Sequence, residues 1–293
     1  MSNIENSVGF VSLNSKILPA HEAKIYPGQS AIYYGTGCFE TLKAEQAKLF
    51  RFEEHIRRLN SGLVYLGVPE HLQPGMNTIR EDVVRLLEKN ELTHSDARIR
   101  IQVSVDEREG YNKAANPGLI CFITTKKLAQ PAGTSVSLGT VQTRVVPVVC
   151  RPPGVKSSNM LHYRNAFREA KKLQADDGLM MNIHNFVAET SVANIFWKRG
   201  NIVYTPSEEC DILPGITRSV LLNILNDKNG ITMHQGTYNL SEIKTADLVW
   251  ITNSVREIMP VNRLDNHSFS VEDLFLDELK TAFQKEKSEY FSK

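Results

Sequence analysis

No apolar run in this 293-residue sequence approaches the roughly 20 residues that a membrane-crossing helix needs. The N-terminus, MSNIENSVGFVSLNS, also lacks the basic start and apolar core of a signal peptide. No membrane partner is expected. Charge of one sign is missing too: 34 Lys and Arg face 33 Asp and Glu, leaving +1, and no basic tract stands out. That removes the electrostatic case for nucleic acid. Cysteine is scarce, with four residues (Cys38, Cys121, Cys150, Cys210) and no C-x-x-C pair. They read as buried free thiols in a reducing compartment, so a cytoplasmic protein is expected. The eight histidines form no H-x-x-x-H pair and none flanks a cysteine pair, so no metal is expected. A lone histidine such as His55 in EEHIRRL reads as a helix-surface or packing residue. There is no G-x-S-x-G elbow, no phosphate-binding G-x-x-x-x-G-K-[ST] loop and no G-x-G-x-x-G fingerprint.

What is present is the composition of a soluble globular protein, 41% hydrophobic and 23% charged, long enough for one large domain or two ordinary ones. The start reads as β-rich: GFVSLNSKIL, a turn at Pro27-Gly28, then AIYYGTGCFETLKAEQAKLFRF with AEQAK as a hairpin connection. Ile56, Leu59, Leu63 and Leu66 share one helix face, and Ile79, Val83, Leu86 and Leu87 line a second. ARIRIQVSV alternates, with Ile99, Ile101, Val103 and Val105 on one side and Arg98, Arg100, Gln102 and Ser104 on a polar one. The polar stretch around 126–136 reads as a linker, which divides the chain into an α/β domain over 1–125 and a second domain over 137–293. In the second domain a helix is expected with Met160, Tyr163, Phe167, Ala170 and Leu173 on one face. GLMMNIHNFVAE, NIFWKRGNIVYTP and DLVWITN read as strands, and helices are expected from Gly215 to near Gly230 and over VEDLFLDELKTAF.

Four pieces could carry chemistry. They are Lys156 behind a stiff Pro-Pro-Gly approach, Glu189 in ETSVANIF, the turn-to-helix ILPGITRSVLL, and the strand end TNS over 252–254. Each alone has an ordinary explanation as a solvated charge, a strand end or a helix start. Together they match what pyridoxal 5′-phosphate needs. A lysine amine forms an imine with its aldehyde, and a carboxylate keeps the ring nitrogen protonated so that the ring draws electrons. A helix N-terminus offers free N–H groups to the phosphate. Gly215 permits close backbone approach, Thr217 and Ser254 offer hydroxyls, and Arg51 offers a bidentate fork.

In the order FRFEEHIRRL, VKSSNML, AETSVANIFW, TPSEECDILPGITR and TNSVREIMPV, the chain resembles the class IV aminotransferases from about residue 30 to 262. These are the fold-type IV pyridoxal phosphate enzymes, which include branched-chain and D-amino acid aminotransferases and aminodeoxychorismate lyases. The resemblance implies an α/β (α+β) fold of two domains, a small α/β N-terminal one and a larger β-barrel-like C-terminal one, in a homodimer. It implies that Lys156 is the Schiff-base lysine and Glu189 the partner of the ring nitrogen. Arg51, Ile216, Thr217, Asn253 and Ser254 fall at phosphate or cofactor positions, and Tyr34 lines the substrate pocket. Arg98, Arg100, Arg108 and Tyr111 are candidates for the substrate carboxylate. Amino acid and 2-oxo acid substrates follow, with aminotransferase as the first reading and aminodeoxychorismate lyase as the second. A non-catalytic pyridoxal phosphate-binding paralogue is a third reading. Leu161 stands where branched-chain enzymes usually carry tyrosine, five residues after the lysine, and TNS leans toward the lyase branch.

Overall fold

The computed structural model describes residues 9–106, 118–129 and 133–292. The chain divides into two compact units, residues 1–129 with 155–159, and residues 130–154 with 160–293.

The first unit begins with a hairpin of β1 (Phe10–Leu13) and β2 (Lys16–Pro19), followed by the short helix α1 (Ser30–Tyr34). Then come β3 (Gly37–Glu45), β4 (Lys48–Leu49), α2 (Phe52–Tyr65), α3 (Met76–Lys89), β5 (Ala97–Asp106) and β6 (Gly118–Lys127). The strands form one sheet in the order β2-β1-β6-β5-β3-β4. Its apolar face buries Leu42, Ile99, Ile101 and Val103 against Phe52, Ile56, Leu59 and Leu63 of α2 and Ile79, Val83 and Leu86 of α3. Each fully buried side chain of this size stabilises by about 2 kcal/mol. Three expectations change here. Residues 31–34, read within the β-rich start, belong to a helix closed by Gly35 in the left-handed region. β6 runs through Lys127, two residues into the stretch read as linker. The polar face of β5 is exposed at Arg98 but buried at Gln102 and Ser104.

Although late in sequence, residues 155–159 belong to this unit. Val155 joins its core. Phe39 N–H donates to the Lys156 carbonyl (3.0 Å) and Ser158 N–H to the Gly37 carbonyl (2.8 Å), so the segment lies along the edge of β3.

The second unit contains β7 (Val136–Arg144), α4 (Leu161–Lys172), β8 (Asp177–Met181), β9 (Val187–Thr190), β10 (Asn194–Arg199) and β11 (Ile202–Pro206). It continues through α5 (Ile216–Asn226), β12 (Thr232–Gly236), α6 (Leu240–Ile243), β13 (Leu248–Asn253), β14 (Glu257–Leu264), β15 (His267–Ser268) and α7 (Leu274–Phe291). The sheet order is β12-β11-β10-β13-β14-β7-β8-β9, and β9 pairs again with β10 through Glu189 and Asn194. The sheet thus closes on itself, as the barrel-like architecture requires. Its interior holds Leu138, Leu179, Ile195, Trp197, Val249 and Val261.

α4 buries Tyr163, Ala166 and Ala170, whereas Phe167 is half-buried and Leu173 exposed. Its inward face is therefore rotated from the expected one, because small Ala166 lets the helix approach β7 and β8 closely. α5 ends at Asn226, short of Gly230. All four cysteines are free, but only Cys38 and Cys210 are buried; Cys121 is half-buried and Cys150 exposed. Among the described residues no helix is long and apolar enough to cross a membrane.

Candidate functional site

In the first unit the chemistry gathers on Phe39 of β3. Gly154, at φ +84° in the left-handed region, turns the chain out of Pro152-Pro153. Val155 then anchors the segment on one side of Lys156, and the two backbone hydrogen bonds to β3, at the Lys156 carbonyl and Ser158 N–H, fix it on the other. The half-buried Lys156 places its Nζ 4.8 Å from the Phe39 ring centroid. Arg100 of β5 places its guanidinium carbon 3.7 Å from the same centroid. One ring thus collects two cations. Arg100 donates to Gln102 Oε1 (3.0 Å), and Gln102 in turn donates to Ser158. Among the described residues no carboxylate pairs with Arg100. Burial, and then the charge of Arg98, lower its pKa from the ordinary value. A partly buried cation without an acid is a receptor for an anion.

Behind this patch lies a cluster that the sequence did not reveal. Glu40, fully buried on β3, accepts from His55 Nδ1 (2.7 Å) and from Arg58 Nε (2.7 Å) and Nη2 (2.8 Å). Burial opposes its charge, but Arg58 first and then His55 hold the carboxyl well below its usual range. His55 is pushed below its ordinary value by burial, despite Glu40. The only sequence signal was the i, i+3 spacing of His55 and Arg58 on α2.

In the second unit the chemistry gathers where the barrel closes. Glu189, 4% exposed, accepts from Tyr163 Oη (2.5 Å) on Oε1, and from Asn194 Nδ2 (3.0 Å) and Leu213 N–H (3.2 Å) on Oε2. Leu213 leads directly into Pro214-Gly215 and α5. Asn194 thereby ties the acid to the helix start, and it also donates to the Leu213 carbonyl (2.8 Å).

The start of α5 is built for an anion. No side chain caps it, so the first N–H groups of Ile216 and Thr217 stay available. Gly215 sits so close that a Cβ there would lie 2.1 Å from Asn194 Oδ1. Thr217 is buried. Thr252, directly opposite Asn194 across β13, has a buried Oγ1 without a hydrogen-bond partner among the described residues. An orphaned hydroxyl, an uncapped helix start and a glycine that admits no side chain together fit a phosphate group.

The remaining candidates fall into place less evenly. Ser254 follows Asn253 in the turn after β13; Asn253 Oδ1 accepts from Val255 N–H (3.0 Å) and Arg256 N–H (2.8 Å), so its side chain braces the turn. Arg51 opens α2 at a positive φ of 52° and pairs with Glu54 (3.1 Å). Tyr34 ends α1, with 42% of its surface exposed. Arg98 is exposed on β5. Arg108 and Tyr111 lie outside the described residues. Tyr163 and Asn194 were not singled out in the sequence, and Thr252 entered only as the first residue of the strand end TNS. Tyr163 read as a core residue; Asn194 meets Glu189 across the short connection from β9 to β10, whereas Thr252 and the start of α5 reach it only once distant segments pack.

The model of the family described as amino-transferase class IV matches residues 37–264. Aminodeoxychorismate lyase of Bacillus subtilis (strain 168) is 27% identical over 269 residues, covering 88% of each chain. Branched-chain-amino-acid aminotransferase of Escherichia coli (strain K12) is 25% identical over 272 residues, covering 87% of this chain and 85% of that protein. Among solved structures, the PLP-form of branched-chain amino acid aminotransferase from Thermobaculum terrenum superimposes with a TM-score of 0.83 at 20% identity, over 94% of this chain and 92% of that one.

Proposed function

This chain belongs to the class IV amino-transferase family, and we propose that it is a pyridoxal 5′-phosphate-dependent aminotransferase, moving an amino group between an amino acid and a 2-oxo acid. The observation that carries the reading is Lys156, locked by its backbone to the edge of β3, with its amine against the same Phe39 ring that Arg100, unpaired with any carboxylate among the described residues, also contacts.

Bound pyridoxal phosphate would supply an aldehyde carbon and an electron-withdrawing ring. In the first unit, Lys156 provides the amine that attaches it and the Nζ that takes and returns a substrate proton. A base so positioned contributes about 10²–10⁴-fold in rate. Arg100, with Arg98 beside it, holds a substrate carboxylate. Tyr34 lines the approach, and Arg51 contributes its fork to the phosphate. In the second unit, Glu189 keeps the ring nitrogen protonated. The N–H groups of Ile216 and Thr217, with the hydroxyls of Thr217, Thr252 and Ser254, receive the phosphate. Asn253 holds the turn that presents Ser254.

The second reading, aminodeoxychorismate lyase on the same residues, is favoured by Leu161 at the position of the branched-chain tyrosine and by the Bacillus subtilis relative. Purified protein given an L-amino acid with 2-oxoglutarate, a D-amino acid with pyruvate, or aminodeoxychorismate separates the two. Amino transfer is expected; pyruvate released from aminodeoxychorismate without amino transfer overturns it in favour of the lyase. Lys156→Ala is expected to abolish the borohydride-reducible adduct while the protein stays folded. An adduct that persists in that variant means another lysine does the work.

The exposed Tyr26, Ile32 and Tyr33 of the first unit (62%, 56% and 68%) support a homodimer, and the four free thiols support a cytoplasmic setting. Light scattering should give twice the chain mass, and Tyr33→Glu should lower it.

A further inference from the structure

We propose that Tyr163 is a positioning residue for Glu189: its phenol O–H fixes the orientation of the carboxylate and keeps it ionised for the cofactor ring. The inference rests on the cofactor reading above.

The carboxylate receives donors from three separate elements, the phenol of α4, the amide of β10 and the backbone ahead of α5. At 4% exposure it would bind a proton unless such donors compensated for lost water. Tyr163 is the one side chain among these three that can be altered without touching the helix start. Burial, followed by the charge of Glu189, pushes its phenol well above the usual value, so it remains protonated and donates. Its ring is held in the cluster of Val141, Ala166, Ala170 and Met180, with the His162 ring 4.1 Å away. The donor is therefore aimed before any ligand arrives, which is the condition for electrostatic preorganisation.

Other charged and titratable groups lie around the pair. Arg151 lies beside the phenol and partly offsets the rise in its pKa. His162 is lowered to about 4 by burial and Arg151. Arg218 of α5 interacts electrostatically with Glu189, while its guanidinium donates to the Pro206 carbonyl (2.9 Å) and Gln235 (2.8 Å). Asp177 of β8 accepts from Ser191. Tyr163→Phe removes the phenol donor on Oε1 and leaves the ring packing in place.

Infrared difference titration of the full chain, with Glu189→Gln identifying the Glu189 carboxyl band, reads the coupling directly. In Tyr163→Phe, Glu189 is expected to protonate about one pH unit higher, and pyridoxal phosphate to bind about tenfold more weakly, with the thermal transition still cooperative. Replacing Tyr163 by 3-fluorotyrosine, a stronger donor of the same shape, should move the carboxyl midpoint the opposite way. Structural filling alone would not produce that reversal. A midpoint unmoved in both variants overturns the inference, and a borohydride-trapped adduct at Lys156 in the same samples shows that the cofactor reading survives. A wild-type protein that forms no adduct sinks the cofactor reading and this inference with it.

Discussion

Glu40 has no exposed surface, yet it carries a full charge because His55 and the Nε–Nη2 edge of the Arg58 guanidinium point at it. Such a group is costly to leave half-paired: removing one partner of a buried ion pair costs about 3–5 kcal/mol. Glu40→Gln should destabilise the protein by that order in urea unfolding, because it removes the buried negative charge that faces Arg58, itself only 11% exposed. His55 alone reads correctly as a packing residue from its place on α2. Its partner could not be read, since Glu40 lies on a strand fifteen residues earlier and the two meet only when β3 packs on α2. Lys156 and Glu189 were singled out for the opposite reason: each sits in a short local string that resembles a family motif, VKSSN and AETS. Tyr163, which donates to Glu189, carries no such string.

At the scale of elements, periodicity reported the long helices well and the short pieces badly. Ile56, Leu59 and Leu63 face the core as their spacing predicts, and Leu63→Ala should cost about 2–5 kcal/mol by leaving a cavity between α2 and β3. α1 was misread because Ile32, Tyr33 and Tyr34 favour strands, and five residues are too few for a helical period to emerge. α4 was rotated because the expected face favoured large residues, while the close approach to the sheet needs Ala166 and Ala170. The junction before α5 is the most demanding of the chain. A methyl group at Gly215 would overlap Asn194 Oδ1, so Gly215→Ala must displace either the helix start or the amide that holds Glu189. The expected result is a stability loss of about 1–3 kcal/mol together with weakened pyridoxal phosphate uptake, read by urea titration and by absorbance. Unchanged uptake would show that the α5 N-terminus does not receive the phosphate.

For the whole molecule, acid is the stress to apply. His55 has its pKa lowered by folding, so the unfolded chain binds the extra proton and stability falls as pH drops below the ordinary value of 6.5. Glu40 is also lowered, so its contribution is complete above the ordinary value of 4.5 and is lost below it. Thermal midpoints should therefore decline in two stages on acidification, and His55→Gln should flatten the first. A midpoint that holds from pH 7 to pH 5 would contradict the first stage. The fold class, with its barrel-like second part, came from the resemblance that the family motifs carry. Closure of the sheet was not legible, because pairings such as β14 with β7 join strands more than a hundred residues apart. That closure rests on one bridge, Glu189 opposite Asn194. The last stave of the barrel is thus fastened by the acid that would greet the cofactor, and a ligand gripping that acid also rivets the staves together. Amide exchange along β9 and β10 should slow on loading more than exchange along β11 and β12, making the vitamin a structural rivet as well as a reagent.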